Sequence, residues 1–302
     1  MRTPIVLLMF NRPDTTQRVF DVIRSMQPQQ LFVIADGPRS DRPHEAEKCA
    51  NARAVVEQVD WDCQVFKNYS DLNLGCAKRV ASGLDWVFAQ VETAIILEDD
   101  CVPHPSFFQF CQELLDRYAD DERIMAISGQ NIQFGQKHTP YSYYFSRYCH
   151  CWGWASWRRA WKHFDFEMKL WPAMSENHYL NDILIDPRAV KYWTKIFQAT
   201  HDGHINSWAY RWMFACWVNS GLTALPNVNL ISNIGFGVEA SHTKATSKQS
   251  LYANIPTEAV QFPLQHPPFI VRQVKADQFS QNTLFHATLQ TRVRQKIKRT
   301  FG

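Results

Sequence analysis

Short apolar runs alternate with helical patterns over the first 130 residues of the chain. Residues 5–10 form a continuous apolar run, as expected of a strand that is covered on both faces. After it, Val19, Val22, Ile23 and Met26 recur at the spacing of one helix face. Similar patterns predict strands at 31–35, 64–66, 94–97 and 124–128, and helices at 44–59, 76–88 and 107–118. Strands separated by helices predict an α/β fold with a parallel sheet and right-handed crossovers.

The second half of the chain has a different pattern and is rich in tryptophan. Nine of the 11 tryptophans lie between residues 152 and 217. Helical patterns predict helices at 156–163, 187–200 and 207–219, and prolines after residue 262 break the chain into an extended tail. Because no flexible linker separates the halves, we expect one domain. It would comprise the halves 1–130 and 131–262, followed by an extended and helical basic tail at 263–302.

Three consecutive carboxylates, which we call the acidic segment, follow the predicted strand at 94–97. They are Glu98, Asp99 and Asp100. Adjacent carboxylates repel one another unless a cation neutralises them, and oxygen ligands on a short segment suit Mg²⁺ or Mn²⁺. The segment therefore predicts a divalent-metal site, with an acidic surface turn as the alternative.

Other polar residues follow the predicted strands at the same edge, where parallel sheets bind ligands. Arg12 can contact a base or a phosphate, and Asp36 can accept a hydrogen bond from a base or a ribose. Asn73 and Gly75 precede the predicted helix at 76–88, and Gly75 allows a ligand to approach the backbone closely. Lys78 in the first helical turn is mildly unfavourable without a nearby anion, which indicates a phosphate. Surface cations and simple turns are the alternatives.

Aromatic residues surround Gly153 in the second half. Trp152 and Trp154 flank this glycine, and we expect at least one of them to face a ligand, because flat rings stack on the C–H faces of sugars. Trp157 and Trp161 lie four residues apart and are better explained as core residues.

A glycine-containing loop at 232–237 leads to two further candidates. Glu239 is a candidate general base, and His242 could complete a metal shell with the carboxylates. A solvated loop glutamate and a surface histidine are the alternatives.

Composition and charge narrow the partners and the location. The chain has 302 residues and a net charge of +3. Five of the 32 basic residues lie in the tail, namely Arg292, Arg294, Lys296, Lys298 and Arg299. Without them, the body of the chain has 27 basic and 29 acidic residues. The near-neutral body argues against nucleic-acid binding. The tail suits contact with an anionic membrane surface, and a solvated helix end is the alternative.

Neither a membrane span nor an export signal is visible in the sequence. No apolar run reaches the roughly 18–20 residues that a span needs. The eight cysteines are scattered, so we interpret them as reduced thiols. We therefore expect a cytoplasmic protein, located at the inner face of the membrane if the tail binds lipid.

Six segments, in this order, resemble the nucleotide-sugar-dependent glycosyltransferases of the GT-A type. The likeness is to the family-2-like bacterial transferases, and more weakly to the Golgi N-acetylglucosaminyltransferase that begins complex N-glycans. It extends over about residues 3–245 and is carried by Phe10-Asn11-Arg12-Pro13, Ala35-Asp36-Gly37, Asn73-Leu74-Gly75, Ile95-Ile96-Leu97-Glu98-Asp99-Asp100, Gly153-Trp154, and Asn233-Ile234-Gly235-Phe236-Gly237 with Ser241-His242-Thr243.

The resemblance implies a GT-A fold, which is a Rossmann-like mixed sheet flanked by helices. It implies that residues 1–130 bind the nucleotide, with Arg12 and Asp36 in contact with it, and that 131–262 bind the acceptor. Asp100 would touch a Mn²⁺ or Mg²⁺ ion. Such relatives are inverting enzymes, in which a carboxylate deprotonates an acceptor hydroxyl while the metal stabilises the departing diphosphate. The expected partners are a nucleotide sugar, here a UDP-sugar, and a glycan, lipid-linked or protein acceptor.

The identity of the catalytic base is left open by the resemblance. The Golgi enzyme uses an aspartate just after a tryptophan, whereas this chain has Ala209 and Tyr210 after Trp208, a residue we expect at the acceptor site. Asp202 and Glu239 are the carboxylates that could replace it. Two other functions are alternatives to a glycosyltransferase. One is a carbohydrate-binding protein without catalysis, and the other is a sugar-1-phosphate nucleotidyltransferase, which normally has a basic, glycine-rich loop after the first strand.

Overall fold

An eight-stranded mixed sheet forms the centre of the computed structural model, which describes residues 1–236 and 252–285. The strands are β1 (Ile5–Met9), β2 (Gln30–Ala35), β3 (Gln64–Tyr69), β4 (Thr93–Glu98), β5 (Cys101–Pro103), β6 (Ile124–Ser128), β7 (Tyr143–Ser146), β8 (Trp154–Trp157), β9 (Leu222–Pro226) and β10 (Ile231–Asn233). Their order in the large sheet is β3-β2-β1-β4-β8-β6-β9-β7, and β5 pairs with β10 in a separate antiparallel ribbon. The α/β class and the mixed sheet flanked by helices are thus confirmed.

Helices connect the strands and cover the sheet. Their bounds are α1 (Pro13–Met26), α2 (Glu45–Ala54), α3 (Cys76–Phe88), α4 (Ser106–Arg117), α5 (Arg158–Trp161), α6 (Trp171–Glu176), α7 (Leu180–Leu184), α8 (Pro187–His201), α9 (Trp208–Val218) and α10 (Val274–Ser280). The predicted helix at 44–59 is α2 continued by a short 3₁₀ turn, Val55–Gln58. On α1 the predicted apolar face packs inward, with Val19 and Ile23 fully buried.

Four parallel strands build the first half of the sheet. β1 pairs with β2 on one side and with β4 on the other, and β3 forms the edge. Every residue of β1 is buried, because helices cover both faces of this part of the sheet. The carboxyl ends of β1, β2 and β4 therefore meet at one edge, where the polar residues singled out from the sequence follow them.

Strand β8 runs antiparallel between β4 and β6 and joins the two halves of the sheet. The helix predicted for 156–163 is therefore wrong at its start. Ser156 is fully buried in the strand, and its hydroxyl donates to the backbone oxygen of Met125 at 2.7 Å. The chain becomes helical only at Arg158.

Tryptophans of the second half pack on one another inside the fold. Trp154 of β8 stacks on Trp208 of α9, with ring centroids 5.4 Å apart and an interplanar angle of 22°. Trp212, one turn further along α9, packs beside Trp154 and Trp161. Helix α9 also contacts α3, the helix that precedes the acidic segment. The starts of the two helices lie close together, because the side chain of Asn206, just before α9, accepts from the N–H of Ala77 in α3.

The described part of the chain ends with an extended segment, α10 and a π-helical turn, Gln281–Phe285. Each helix in the described part is too short or too polar to cross a bilayer. The basic residues at 292–299 lie outside the described ranges, so their contact with a membrane stays a prediction, as does the division at residue 262.

Candidate functional site

A cavity of about 380 Å³ opens at the carboxyl ends of β1, β2 and β4. Its volume is in the range of small-molecule sites. Both halves of the chain contribute to its wall, because Asn206 and the residues around Gly235 face it from the second half. The lining residues that the sequence singles out are Arg12, Asp36, Asn73, Gly75, Glu98, Asp99, Asp100 and Trp152. The structure thus brings these candidates together, while their individual roles stay predictions.

Arg12 forms ion pairs with two carboxylates of the acidic segment. Its Nη1 donates to Asp100 Oδ2 at 2.9 Å, and its Nη2 donates to Asp99 Oδ1. Asp99 is buried and also accepts from the backbone N–H of Phe10 at 3.1 Å. Arg12 and Asp99 therefore hold each other at the end of β1, with the partly exposed Asp100 on the cavity side.

The acidic segment carries more negative charge than Arg12 alone neutralises. Burial raises the pKa of Glu98 above the ordinary carboxylate range, and the charges of Asp100 and Asp99 raise it further. Burial also raises the pKa of Asp99, although Arg12 opposes the shift. A cluster that resists full ionisation in this way would be stabilised by a bound cation.

We expect Glu98→Gln to raise stability at alkaline pH in a metal-free buffer with EDTA. Because the folded-state pKa of Glu98 is raised, its carboxylate destabilises the fold increasingly as pH rises above the unfolded-state pKa. The glutamine variant should gain about 1–2 kcal/mol at pH 8 and little at pH 4. Thermal unfolding of both proteins at the two pH values measures this. An equal gain at both would show that charge is not the cause.

Asp36 orders the loop that precedes α3. Its Oδ1 accepts from the backbone N–H groups of Gly37 and Leu74, each at 2.9 Å, and its Oδ2 accepts from the N–H of Gly75 at 3.0 Å. Asn73 Nδ2 donates to the Gly37 carbonyl oxygen at 2.8 Å. Gly75 has φ +76°, a conformation that favours glycine. The visible role of Asp36 is thus to fix this loop, and its nucleotide contact stays a prediction.

The ribbon of β5 and β10 places the residues that follow β10 against the acidic segment. The backbone N–H of Ile234 donates to the backbone oxygen of Asp100 at 2.8 Å, and the N–H of Gly235 donates to Asn233 Oδ1 at 2.8 Å. A Cβ at Gly235 would overlap Asp100 Oδ2 and lie 2.7 Å from Arg12 Nη1. Glycine is therefore the residue that fits between these two side chains. Glu239 and His242, further along the loop, lie outside the described residues.

Two predicted site residues on helices lie away from the cavity wall. Lys78 is exposed on α3, whereas the adjacent Arg79 lines the cavity and donates to the backbone oxygens of Ala35 and Asn68. Asp202 is exposed at the end of α8 and accepts from Gln198 Nε2 at 2.8 Å. Lys78 is not among the residues that line the cavity, whereas its neighbour Arg79 is, and a phosphate contact of Lys78 stays a prediction.

The aromatic candidates divide between cavity and core. Trp152 lines the cavity and meets Phe236 edge to face, with ring centroids 5.4 Å apart. Trp154 and Trp208 are buried against each other, and neither lines the cavity. Gly153 packs against the side chain of Ile231. Of the two tryptophans around Gly153, Trp152 is thus the one that can face a ligand.

Sequence reasoning missed several polar residues of the cavity wall, among them Arg39 and Asn206. Arg39 follows β2, pairs with Glu45 and lies 5.5 Å from the ring centroid of Phe10. Its place shortly after a strand end was a signal that could have found it. Asn206 is a single polar residue in the loop before α9, and no sequence pattern distinguishes it.

Asp100 is the side chain of the acidic segment that best fits a divalent ion. Its carboxylate is partly exposed and lines the cavity. Within 1–236 and 252–285, no three His, Cys, Asp or Glu side chains form a ready-made metal cluster. An ion held here would therefore take other ligands from water and from a phosphate-bearing substrate, as Mg²⁺ commonly does.

Comparisons with known proteins give matches in the fold alone. No protein-family model matches the sequence, and no curated protein matches it. Glycosyltransferases are among the structures it resembles. The galactosyltransferase LgtC, in complex with donor and acceptor sugar analogues, is 9% identical, with a TM-score of 0.39, over 97% of this chain and 100% of that one. The mannosyltransferase PcManGT from Pyrobaculum calidifontis, in complex with GDP-Man and Mn²⁺, is 13% identical, with a TM-score of 0.36.

The mannosyltransferase match covers 51% of this chain, which spans only 44% of that protein. A UDP-glucose pyrophosphorylase complexed with UDP-glucose is 10% identical, with a TM-score of 0.28, over 50% of this chain and 64% of that one. At such low similarity, an assignment of activity depends on the cavity itself.

Proposed function

We propose that this protein is an inverting glycosyltransferase of the GT-A type. It moves a sugar from a nucleotide-diphosphate donor, a UDP-sugar, to a glycan, lipid-linked or protein acceptor. The observation that carries the proposal is the meeting of the acidic segment, Arg12 and the Asp36-ordered loop in one cavity at the carboxyl edge of the sheet. A metal-binding carboxylate, a cation and a closely approachable backbone suit a nucleotide diphosphate.

In the proposed site, Asp100 holds Mn²⁺ or Mg²⁺, which when bound stabilises the charge of the departing diphosphate. Arg12 adds positive charge at the same place, and Asp99 keeps its guanidinium in position. Asp36 keeps Asn73 and Gly75 at the cavity, where the backbone can approach the donor. These contacts would orient the donor before the acceptor arrives.

Glu239 and Asp202 are the proposed candidates for the catalytic base. Glu239 follows the cavity residue Phe236 by three positions in the sequence, whereas Asp202 is exposed and does not line the cavity, so we favour Glu239. The base takes the acceptor hydroxyl proton while the hydroxyl oxygen bonds to the anomeric carbon from the face opposite the leaving diphosphate. His242, close in sequence to Glu239, is the proposed additional metal ligand.

The acceptor or the transferred sugar is proposed to bind beside Trp152 and Phe236. These rings form an aromatic corner of the cavity, next to Gly235. Aromatic faces bury the apolar faces of sugars effectively. In the same proposal, Trp154 and Trp208 support the wall from inside rather than touching the sugar.

We expect UDP to bind the protein with Mn²⁺ present and much more weakly with EDTA. The reason is that Asp100 would hold the metal, and the metal would supply positive charge that attracts the diphosphate. Calorimetric titration of UDP, GDP, CDP and dTDP, each with and without Mn²⁺, measures this. Absence of binding across the whole series would contradict the proposal.

A carbohydrate-binding protein without catalysis is the second candidate, favoured by the position of Asp202 away from the cavity. A donor-hydrolysis screen across nucleotide sugars separates the two. Release of UDP that is lost in Glu239→Ala supports the transferase, whereas sugar binding without hydrolysis supports the binding protein. Pyrophosphate release from UTP would instead indicate a nucleotidyltransferase.

A further inference from the structure

Asn206 connects the two halves of the fold at the cavity wall. It belongs to the loop between α8 and α9, and it lines the cavity. Its side-chain Oδ1 accepts from the backbone N–H of Ala77 at 3.1 Å, in the first turn of α3. The N-cap residue of that helix, Gly75, has no side chain for this role. The hydrogen bond from Ala77 therefore orients the side-chain amide of Asn206, with Oδ1 as the atom that accepts.

The other end of the amide, Nδ2, lies against Gly75. A Cβ at Gly75 would be 2.8 Å from Nδ2, so the amide nitrogen occupies the space that a side chain there would need. Asn206 is exposed on the cavity side, and its Nδ2 donates to no other described residue. Asn206 therefore presents a free, oriented N–H donor beside the backbone of the loop that Asp36 fixes.

Packing on both sides of Asn206 holds its loop in place. The backbone N–H of Ile205 donates to the Ala199 backbone oxygen at 3.0 Å, which ties the loop to α8. Trp208, two residues after Asn206, is buried in the stack with Trp154. The buried tryptophans thus position a cavity residue without facing the cavity themselves.

We propose that Asn206 is a donor-binding residue, whose Nδ2 hydrogen-bonds to a phosphate oxygen of the nucleotide diphosphate. This inference rests on the proposed function. A phosphate oxygen is favoured because Nδ2 is an N–H donor and because the positive end of this 13-residue helix lies beside Asn206. The first turn of α3 has no acidic residue of its own, and the Asp36 carboxylate near its start is held by the N–H groups of Leu74 and Gly75. The same amide thus caps α3 and binds the donor.

The variant Asn206→Asp separates these two roles. A carboxylate keeps the oxygen that caps Ala77, so we expect a thermal midpoint at or above that of the wild type. It removes the N–H donor and adds a negative charge next to the phosphate, so affinity for the nucleoside diphosphate should fall about 10- to 100-fold. Asn206→Ala removes both functions and should lower both affinity and the thermal midpoint. Asn181→Asp makes the same charge change at an exposed residue of α7 and serves as the control.

The measurement is calorimetric titration with whichever of UDP, GDP, CDP and dTDP the wild type binds most tightly, in the presence of Mn²⁺. Loss of affinity in Asn206→Asp with wild-type affinity in Asn181→Asp supports the inference. Equal affinities in wild type and Asn206→Asp would overturn it and leave the proposed function intact. If the wild type binds none of the four nucleotides, the proposed function fails first.

Discussion

Replacing Asp100 by alanine is expected to abolish Mn²⁺-dependent nucleotide binding while the protein stays folded. Asp100 is partly exposed at the cavity, and Arg12 keeps its ion pair with Asp99 when Asp100 is removed. Little stability should therefore be lost. In the proposed site, losing this carboxylate would also lose the metal whose charge stabilises the leaving diphosphate, so donor turnover should fall by about 10²–10³-fold or more.

Calorimetric titration of the nucleotide with Mn²⁺, donor hydrolysis with Mn²⁺ and thermal unfolding, all on the same Asp100→Ala preparation, test this expectation. Asp116→Ala is a suitable control, because Asp116 is an exposed aspartate that pairs with Arg2 at the surface. A variant that unfolds without any metal-specific effect would show that Asp100 is structural. A variant that keeps its Mn²⁺-dependent activity would show that the metal binds elsewhere.

Replacing Arg12 by alanine is expected to be strongly destabilising. The Asp99 side chain is only 3% exposed. After the change, its carboxylate would still accept from the backbone N–H of Phe10, but it would have lost its ion pair with Arg12. Removing one partner of a buried ion pair typically costs about 3–5 kcal/mol. The pKa of Asp99, already raised by burial, should rise further, so the loss of stability should grow as pH increases.

Urea unfolding at pH 6 and pH 8 measures the effect of Arg12→Ala. Adding Asp99→Asn to the same chain removes the unpaired charge and should restore much of the lost stability, although nucleotide affinity should stay low. If the double variant is as unstable as Arg12→Ala alone, the unpaired carboxylate is not the cause. If Arg12→Ala is as stable as the wild type, the ion pair does not hold this edge of the sheet.

The four parallel strands β1 to β4 were predictable from the sequence, as was β6, whereas the strands β7, β8 and β9 were not. The strands β1, β2 and β4 are buried on both faces, so each appears as a continuous apolar run with clear ends. Strand β8 was mistaken for the start of a helix, because tryptophans at 154, 157 and 161 also fit helical spacing. Strands β7 and β9 gave no separate signal, since they pair only with distant parts of the chain.

The residues of the candidate site likewise differ in how well the sequence predicts them. Arg12, Asp36 and Asp100 were found because they follow buried strands, and the geometry of a parallel sheet brings such positions together. Asn206 was not found, because its place depends on the contact between α9 and α3 and on the buried stack of Trp154 and Trp208. Long-range aromatic packing of this kind leaves no periodic pattern in the sequence.

The most direct test of the central claim is to locate Mn²⁺ by anomalous diffraction in crystals of the wild-type protein grown with Mn²⁺ and the nucleoside diphosphate that it binds. We expect one strong peak within coordination distance of both an Asp100 carboxylate oxygen and a phosphate oxygen, in the cavity that Arg12 and Asp36 also line. A bound nucleotide with no metal at Asp100, or a metal peak away from the acidic segment, would contradict the account.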